Sequence, residues 1–290
     1  MLRTDEVASV RIAALNTLRD LASTPLKEAF DVALADEARS VRQAALEMIP
    51  DLNLPPEDVA SLLASVLEDG SSDERQTALQ LLGEIDAPAA TDLLSTYMDR
   101  LLAGDLPRTL ELELVQAARQ SDAEALNERL KQYQSRTASS DSVAVYRAAL
   151  YGGNAERGRE LFSQHPGAQC SRCHAVNGEG GEVDPALTDV GSRLSRELLL
   201  EAMVAPDARL APGYGGVTLT LEDGSILRGV VEVETDTTIT LRRGEEQVRT
   251  LPRSKVTSQI NSSPMPPMGD ILTRRELRDL VAYMTTLKGE

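Results

Sequence analysis

The first half of the chain repeats itself, and a chain that repeats at a short fixed period folds by stacking like units. The run Asp5-Glu6-Val7-Ala8-Ser9-Val10-Arg11-Ile12-Ala13-Ala14-Leu15 returns 31 residues later as Asp36-Glu37-Ala38-Arg39-Ser40-Val41-Arg42-Gln43-Ala44-Ala45-Leu46. A weaker third copy, Asp73-Glu74-Arg75-Gln76-Thr77-Ala78-Leu79, lies 33 residues further on when Arg75 is set on Arg42. In the strong copies Val, Ala and Leu recur at helical spacing and form one apolar face. A second helical stretch, from about Pro25 to Leu34, separates them, so the unit is a helix pair. Further helices are predicted at about 56–68, 73–83, 88–103, 107–119 and 122–134. Pro55, Pro88 and Pro107 stand at or near helix starts, where a missing N–H costs nothing. One pair cannot bury its own face, so the pairs stack into a short solenoid.

These copies resemble HEAT repeats over about residues 1–135. The resemblance implies a scaffold or docking surface; the plainer alternative is a set of helices that only supports the next domain. Asp5 follows Met1 almost at once, inside a repeat, so the chain is expected to be a piece of a longer protein. The net charge of −16 argues against nucleic acid as a partner, because a phosphate backbone needs clustered Lys and Arg. Most of that charge belongs to residues 1–150, with 26 acidic and 14 basic side chains. A solvated helical surface accounts for it, and attraction of a basic partner is the alternative. No apolar run approaches the roughly 20 residues that span a bilayer. Residues 135–142 are small and polar, a short helix is predicted at about 143–151, and Gly152-Gly153 breaks the chain. The expected organisation is therefore repeats over 1–135, a linker over 136–152 and a second domain over 153–290.

The chemistry sits at Cys170-Ser171-Arg172-Cys173-His174, in the second domain. Cys-x-x-Cys-His is the attachment signature of c-type haem. The thiols add across two vinyl groups on one edge of the porphyrin, and a two-residue gap spans that edge. The adjacent His174 then ligates iron axially. A Cys-x-x-Cys redox pair would need a thioredoxin-like strand–motif–helix context, which the flanks lack. A zinc site would need two more ligands, and His165 is the only other histidine.

The flanks resemble class I cytochromes c. Gly158 and Phe162 lie four apart on a predicted helix at about 154–163. Leu280 and Tyr283 lie three apart on another at about 273–287. In that family the first and last helices cross at such a pair, the glycine permitting close contact and an aromatic packing over it. Val183-Asp184-Pro185-Ala186-Leu187-Thr188 resembles the family's Gly-Pro-x-Leu segment, with Asp184 where glycine is usual. The resemblance gives the Pro185 carbonyl a hydrogen bond from the other ring nitrogen of iron-bound His174, which fixes the tautomer. It also places the sixth ligand in Ser263-Pro264-Met265-Pro266-Pro267-Met268-Gly269. By register Met265 ligates iron and Met268 packs on the ring. Met268, His165 or no methionine at all remain as alternatives.

About 90 residues separate His174 from Met265. A helix is predicted from Arg193 to Ala205, after which the pattern switches to period two at Val217-Leu219-Leu221, Val231-Val233 and Ile239-Leu241. Glu222-Asp223-Gly224-Ser225 and Arg243-Gly244-Glu245 read as turns, and Gly229 as a bend or bulge. Short strands over 215–260 predict a small inserted β-barrel whose spacing resembles Sm-like folds. The segment lacks aromatic residues for base stacking, so RNA binding is not expected of it. Shielding of a haem edge, a partner contact and a mere spacer are its possible roles.

Residues 150–290 as a whole resemble the planctomycete/Verrucomicrobium-type haem-binding domain family. The carrying residues are 158–162, 170–174, 184–188, Ala205-Pro206-Asp207, Pro212-Gly213-Tyr214, the Asp223-Gly224 turn, and Met265-Pro266 followed by 272–280. Members often follow HEAT-like repeats, and some carry an upstream propeller resembling sugar or alcohol dehydrogenases. The fold class expected is mainly α: a HEAT-like α-solenoid, then a cytochrome c-like helical domain with a small inserted β-barrel. The resemblance implies one haem c, held through Cys170 and Cys173. It implies electron transfer between a donor dehydrogenase and an acceptor carrier. A haem enzyme with an open sixth position and a HEAT-based docking scaffold are the competing functions. Covalent haem is attached outside the cytoplasm, so a periplasmic or otherwise exported protein is expected. Residues 1–6 hold no apolar signal core, so the export signal is expected upstream.

Overall fold

The computed structural model describes residues 7–21, 26–137, 143–243 and 247–289. Asp5, Pro25, residues 138–142 of the expected linker and the Gly244-Glu245 turn lie outside the described residues. The chain divides into two compact units, Met1–Ala138 and Ser139–Glu290.

The first unit runs α1 (Ala8–Asp20), α2 (Leu26–Leu34), α3 (Arg39–Met48), α4 (Pro56–Asp69), α5 (Ser72–Leu82), α6 (Pro88–Ala103), α7 (Glu111–Gln120) and α8 (Glu124–Thr137). Helices α1, α3, α5 and α7 each pack on the next of that row, and α2, α4, α6 and α8 do the same. One apolar core runs between the rows from Leu15 to Leu130. Pro56 and Pro88 open α4 and α6, where no N–H is required.

The copies bury Leu15 and Leu46 alike but do not bury every equivalent position. Val41 is fully buried, whereas Val10, its match in the repeat, is 37% exposed. Helix α3 is packed by α1 on one side and α5 on the other, while α1 packs, among the described elements, on α2 and α3. The repeats are tied by forward-reaching arginines. Arg11, 5% exposed, donates from Nε and Nη2 to the Asp36 carboxylate at 2.8 Å each. Arg42 Nε donates to Glu74 Oε1 at 2.9 Å. The other Glu74 oxygen accepts from Ser71 N at 2.8 Å and closes the capping box of α5. Burial alone would raise the Asp36 carboxyl. The Arg11 hydrogen bond, the Ala38 N–H and the charges of Arg11 and Arg42 outweigh it and hold Asp36 below the usual carboxylate range.

The second unit begins with a 3-10 turn, Ala144–Leu150, followed by α9 (Ala155–Gln164). The two-residue strands β1 (Ala175–Val176) and β2 (Glu179–Gly180) come next, then α10 (Val190–Arg193) and α11 (Arg196–Val204). Strands β3 (Gly216–Leu221), β4 (Ile226–Glu234), β5 (Thr238–Arg243), β6 (Gln247–Pro252) and β7 (Val256–Ser262) follow, and α12 (Arg274–Met284) closes the unit. Part of the stretch expected as linker is core: Val143 and Leu150 are buried with Phe162, Leu199, Leu280 and Tyr283. Helices α9 and α12 cross at Gly158, where a Cβ would collide with the Asp279 carbonyl and with Tyr283 Cβ. The Phe162 and Tyr283 rings pack beside the crossing, with centroids 5.7 Å apart. Asp279 is 5% exposed, and its Oδ1 accepts from Asn154 N at 2.8 Å, which anchors the start of α9 to α12.

The inserted strands form a five-stranded antiparallel sheet in the order β6-β5-β4-β3-β7, with its own apolar core of Val217, Leu219, Leu221, Leu227, Ile239, Leu241 and Leu251. The expected closed barrel is not formed. Closure needs a ladder between the terminal strands, and among the described residues β6 and β7 are joined only through the 3-10 turn Arg253–Lys255. β6 ends at Pro252, which has no N–H to give, and buries only Leu251. The bend in β4 falls between Val231 and Val233, two residues past Gly229. The turn at 222–225 joins β3 to β4 as expected, with Asp223 Oδ1 accepting from Ser225 N at 2.9 Å. Among the described residues no helix is long and apolar enough to cross a membrane.

Two outcomes follow from this packing. Asp36→Ala leaves the buried Arg11 guanidinium without its carboxylate and is expected to cost about 3 kcal/mol, read by urea unfolding under far-UV circular dichroism. Because the folded value of Asp36 is lowered, its contribution is present above the unfolded value and is lost as pH falls through the folded one. The variant should therefore show a shallower acid loss of stability below about pH 4, and an unchanged acid limb would contradict the assignment. Gly158→Ala should lower the stability of the second unit by about 1–3 kcal/mol or more, because two helix backbones must separate. Calorimetry reads this as a lower unfolding midpoint.

Candidate haem site

Helix α9 ends at His165, and the chain turns through Gly167 and Ala168 to Gln169, whose φ is +47°. Cys170, Ser171 and Arg172 then form a single 3-10 turn, closed by Cys173 N donating to Cys170 O at 3.2 Å and His174 N to the same oxygen at 3.0 Å. This turn sets both cysteines close in space, and neither is joined in a disulfide. Burial pushes the Cys170 thiol up, and the neighbouring Cys173 adds to the effect. A thiol held protonated is unlike the depressed thiolate of a redox-active Cys-x-x-Cys pair.

The segment after the motif folds back onto it. Asn177 and Gly178 both take positive φ, 53° and 80°, and turn β1 into β2. Gly181 N donates to Ser171 O at 2.9 Å, Asp184 N to Cys173 O at 3.1 Å, and Leu187 N to Ala175 O at 2.8 Å. A Cβ at Gly181 would collide with the Arg172 carbonyl. The return path brings Pro185 O to 2.8 Å from His174 Nδ1. A carbonyl only accepts, so Nδ1 carries a proton, and in the neutral ring the lone pair is at Nε2. Among the described residues Nε2 has no hydrogen bond. Asp184 needs no glycine-like backbone, since its φ is not positive.

Met265 and Cys170 are both partly buried against the apolar cluster that holds Phe162, Met268, Leu280 and Tyr283. Met268 is only 4% exposed within that core. Met265 N donates to Ser263 Oγ at 3.1 Å, and Ser263 N to Asp207 Oδ1 at 2.6 Å. Asn261 Nδ2 reaches the Asp207 carbonyl at 3.2 Å, so Asp207 pins the end of the insert just ahead of Met265. His165 is differently engaged. Its Nδ1 accepts from Gly167 N at 3.2 Å and Ala168 N at 3.0 Å, and its Nε2 lies 3.6 Å from Glu276 Oε1.

Comparison with known families matches part of each unit. HEAT repeats match residues 26–101, and cytochrome c matches residues 155–219. The chain carries HEAT repeats followed by a cytochrome c-like domain. No curated protein matches the chain. A cytochrome c domain is a haem electron-transfer module with redox partners, and the match includes 170–174 and Pro185. It ends inside β3, the first strand of the insert, so Met265 and α12 lie beyond the matched residues.

The residues of this cytochrome c domain fit a haem: two unbridged thiols on one turn, and an imidazole whose outer nitrogen is committed while the inner one is open. Asp207, the Asn177-Gly178 turn and Tyr146, whose hydroxyl lies against Gly269, support the site but carried no role in the sequence reading. Asn-Gly is itself a turn signal. Nothing beside Asp207 or Tyr146 in sequence marks what they hold, because their partners lie 54 residues away or more.

Gly178→Ala meets open space and should cost about 1–2 kcal/mol, from its positive φ alone. Gly181→Ala places a methyl group on the carbonyl of the cysteine turn and should lower the calorimetric midpoint of the second unit further. Equal midpoints for the two variants would contradict the close packing at Gly181.

Proposed function

We propose that residues 153–290 form a c-type cytochrome, with one haem attached covalently through Cys170 and Cys173 and with His174 and Met265 as axial ligands. The observation that carries the reading is the 2.8 Å contact between His174 Nδ1 and Pro185 O, beside two free thiols on one turn. When bound, haem supplies a one-electron iron couple. The protein's part is to hold, orient and enclose. Pro185 keeps the proton on His174 Nδ1 and so keeps Nε2 available as a ligand. Asp207 and Ser263 hold the backbone of Met265, and Met268 fills the apolar wall behind it. A thioether from Met265 held on the iron would leave no site for substrate and would raise the potential, which suits a carrier rather than a catalyst.

In this reading the domain takes electrons from a donor dehydrogenase and passes them to an acceptor carrier. The HEAT repeats serve as scaffold or docking surface. The protein is exported, periplasmic where the cell has a periplasm, and belongs to a larger dehydrogenase-like protein, as the family resemblance implies.

The test is the visible spectrum of the chain, exported and co-expressed with haem-maturation machinery. A low-spin c-type spectrum is expected, with a far-red methionine–iron band that Met265→Ala abolishes and Met268→Ala retains. A high-spin wild-type spectrum would replace the carrier with an open-site haem enzyme. Absence of covalent haem despite working machinery would overturn the cytochrome reading.

A further inference from the structure

His165 lies five residues before Cys170 and was weighed as an iron ligand. Its surroundings give it a different task. Nδ1 accepts two backbone N–H groups, from Gly167 at 3.2 Å and Ala168 at 3.0 Å. An atom that accepts two N–H groups cannot carry a proton, so His165 is the neutral tautomer with its proton on Nε2. That N–H faces Glu276 Oε1 at 3.6 Å, an electrostatic contact rather than a hydrogen bond. The other Glu276 oxygen accepts from Thr273 N and Thr273 Oγ1 at 2.8 Å each, the capping box that starts α12.

The two ends of this chain of contacts are the segment that leads into Cys170 and the segment that carries Met265. On one side, His165 O accepts from Gln169 N at 3.1 Å, so backbone and side chain of one residue together shape the turn into Cys170. On the other, Thr273 follows Leu272, whose N donates to Met268 O at 2.8 Å in the segment that carries Met265. A second contact runs alongside, since a Cβ on Gly167 would lie 3.1 Å from Ile271 Cγ2. The imidazole is 17% exposed and Glu276 30%, so the contact is partly shielded from water.

We infer that His165 is a positioning residue: through its neutral imidazole and Glu276 it clamps the loop entering Cys170 to the methionine-bearing segment, and so holds the methionine on iron. This inference rests on the cytochrome reading above. It assigns the second histidine to keeping the sixth position closed rather than to filling it.

The fold supplies its own conservative replacement. Asn154 Oδ1 accepts from the N–H groups two and three residues on, at 2.9 and 3.0 Å, the same pattern that His165 makes. Asparagine at 165 can therefore keep the turn without the imidazole. The experiment uses the haem-loaded full chain and titrates it with potassium cyanide, which competes with methionine for iron, while the far-red methionine–iron band is followed. His165→Ala should keep its covalent haem, weaken the band and bind cyanide about tenfold more tightly, the effect of losing one or two hydrogen bonds. His165→Asn, which keeps the turn but lacks the ring that reaches Glu276, should recover only part of that loss, and Glu276→Gln should fall between wild type and His165→Ala. Ser195→Ala, which removes the cap of α11 in the same unit, serves as the control for general loosening. Cyanide affinity and band intensity in His165→Ala equal to wild type would overturn the inference and leave the cytochrome reading standing. So would a Ser195→Ala variant that tightens cyanide equally at the same loss of thermal midpoint. A wild-type chain with no covalent haem or no methionine band would overturn the cytochrome reading, and this inference with it.

Discussion

The second unit depends on one close approach, the crossing of α9 and α12 at Gly158. Two helices whose backbones touch need a residue without a side chain at the contact, and a Cβ there would strike the Asp279 carbonyl. The contact fixes where α9 ends, and therefore where the turn through Cys170 begins. It also fixes where α12 starts, and therefore where the segment with Met265 must arrive. Phe162 and Tyr283 pack beside the crossing, and Asp279 accepts the N–H of Asn154, the residue that caps α9. The site is thus a consequence of helix packing as much as of the motif.

The first unit rests on a different principle. A helix pair with one apolar face is stable only when another pair covers it. The core is continuous through the unit, and the charged pairs that join the repeats run from the buried Arg11–Asp36 to the partly buried Arg42–Glu74. Arg11 with Asp36, and Arg42 with Glu74, each bridge one repeat to the next. Breaking such a pair leaves an uncompensated charge, so these residues set the register of stacking. The surface that remains is strongly acidic, which favours solubility and disfavours nucleic acid.

Within the site, chemistry and geometry constrain one another. The carbonyl of Pro185 dictates the tautomer of His174, because a carbonyl can only accept. The two amides at Gly167 and Ala168 dictate the opposite tautomer for His165 for the complementary reason. The two histidines of the chain are therefore chemically distinct: one presents a lone pair from Nε2, the other a proton. The sheet of the insert neither closes nor supplies any of these groups, but its end is pinned at Asp207 immediately before Met265.

Much was legible in the sequence because the signals are local. Apolar spacing marked the helices to within a few residues, as at 88–103, and alternation marked β3, β4 and β5. The Gly158 and Tyr283 pair was legible because a glycine beside a helical aromatic is a packing signature. What the sequence left undecided involves partners that meet only in space. Val10 and Val41 are equivalent in the repeat, yet only Val41 is covered on both sides. Residues 144–150 were legible as a short helix within the linker span, but their packing on α12 was not, because an amphipathic turn can be judged only against the surface it meets. The strand pattern suggested a barrel, but closure depends on whether β6 and β7 pair, and backbone pairing leaves no mark in residue type. The sequence by itself determined which groups the chain owns: two thiols, two imidazoles and a methionine segment framed by prolines. Only the tertiary structure decided that His165 meets Glu276 and that Asp207 meets Asn261 and Ser263, because those contacts join groups far apart along the chain.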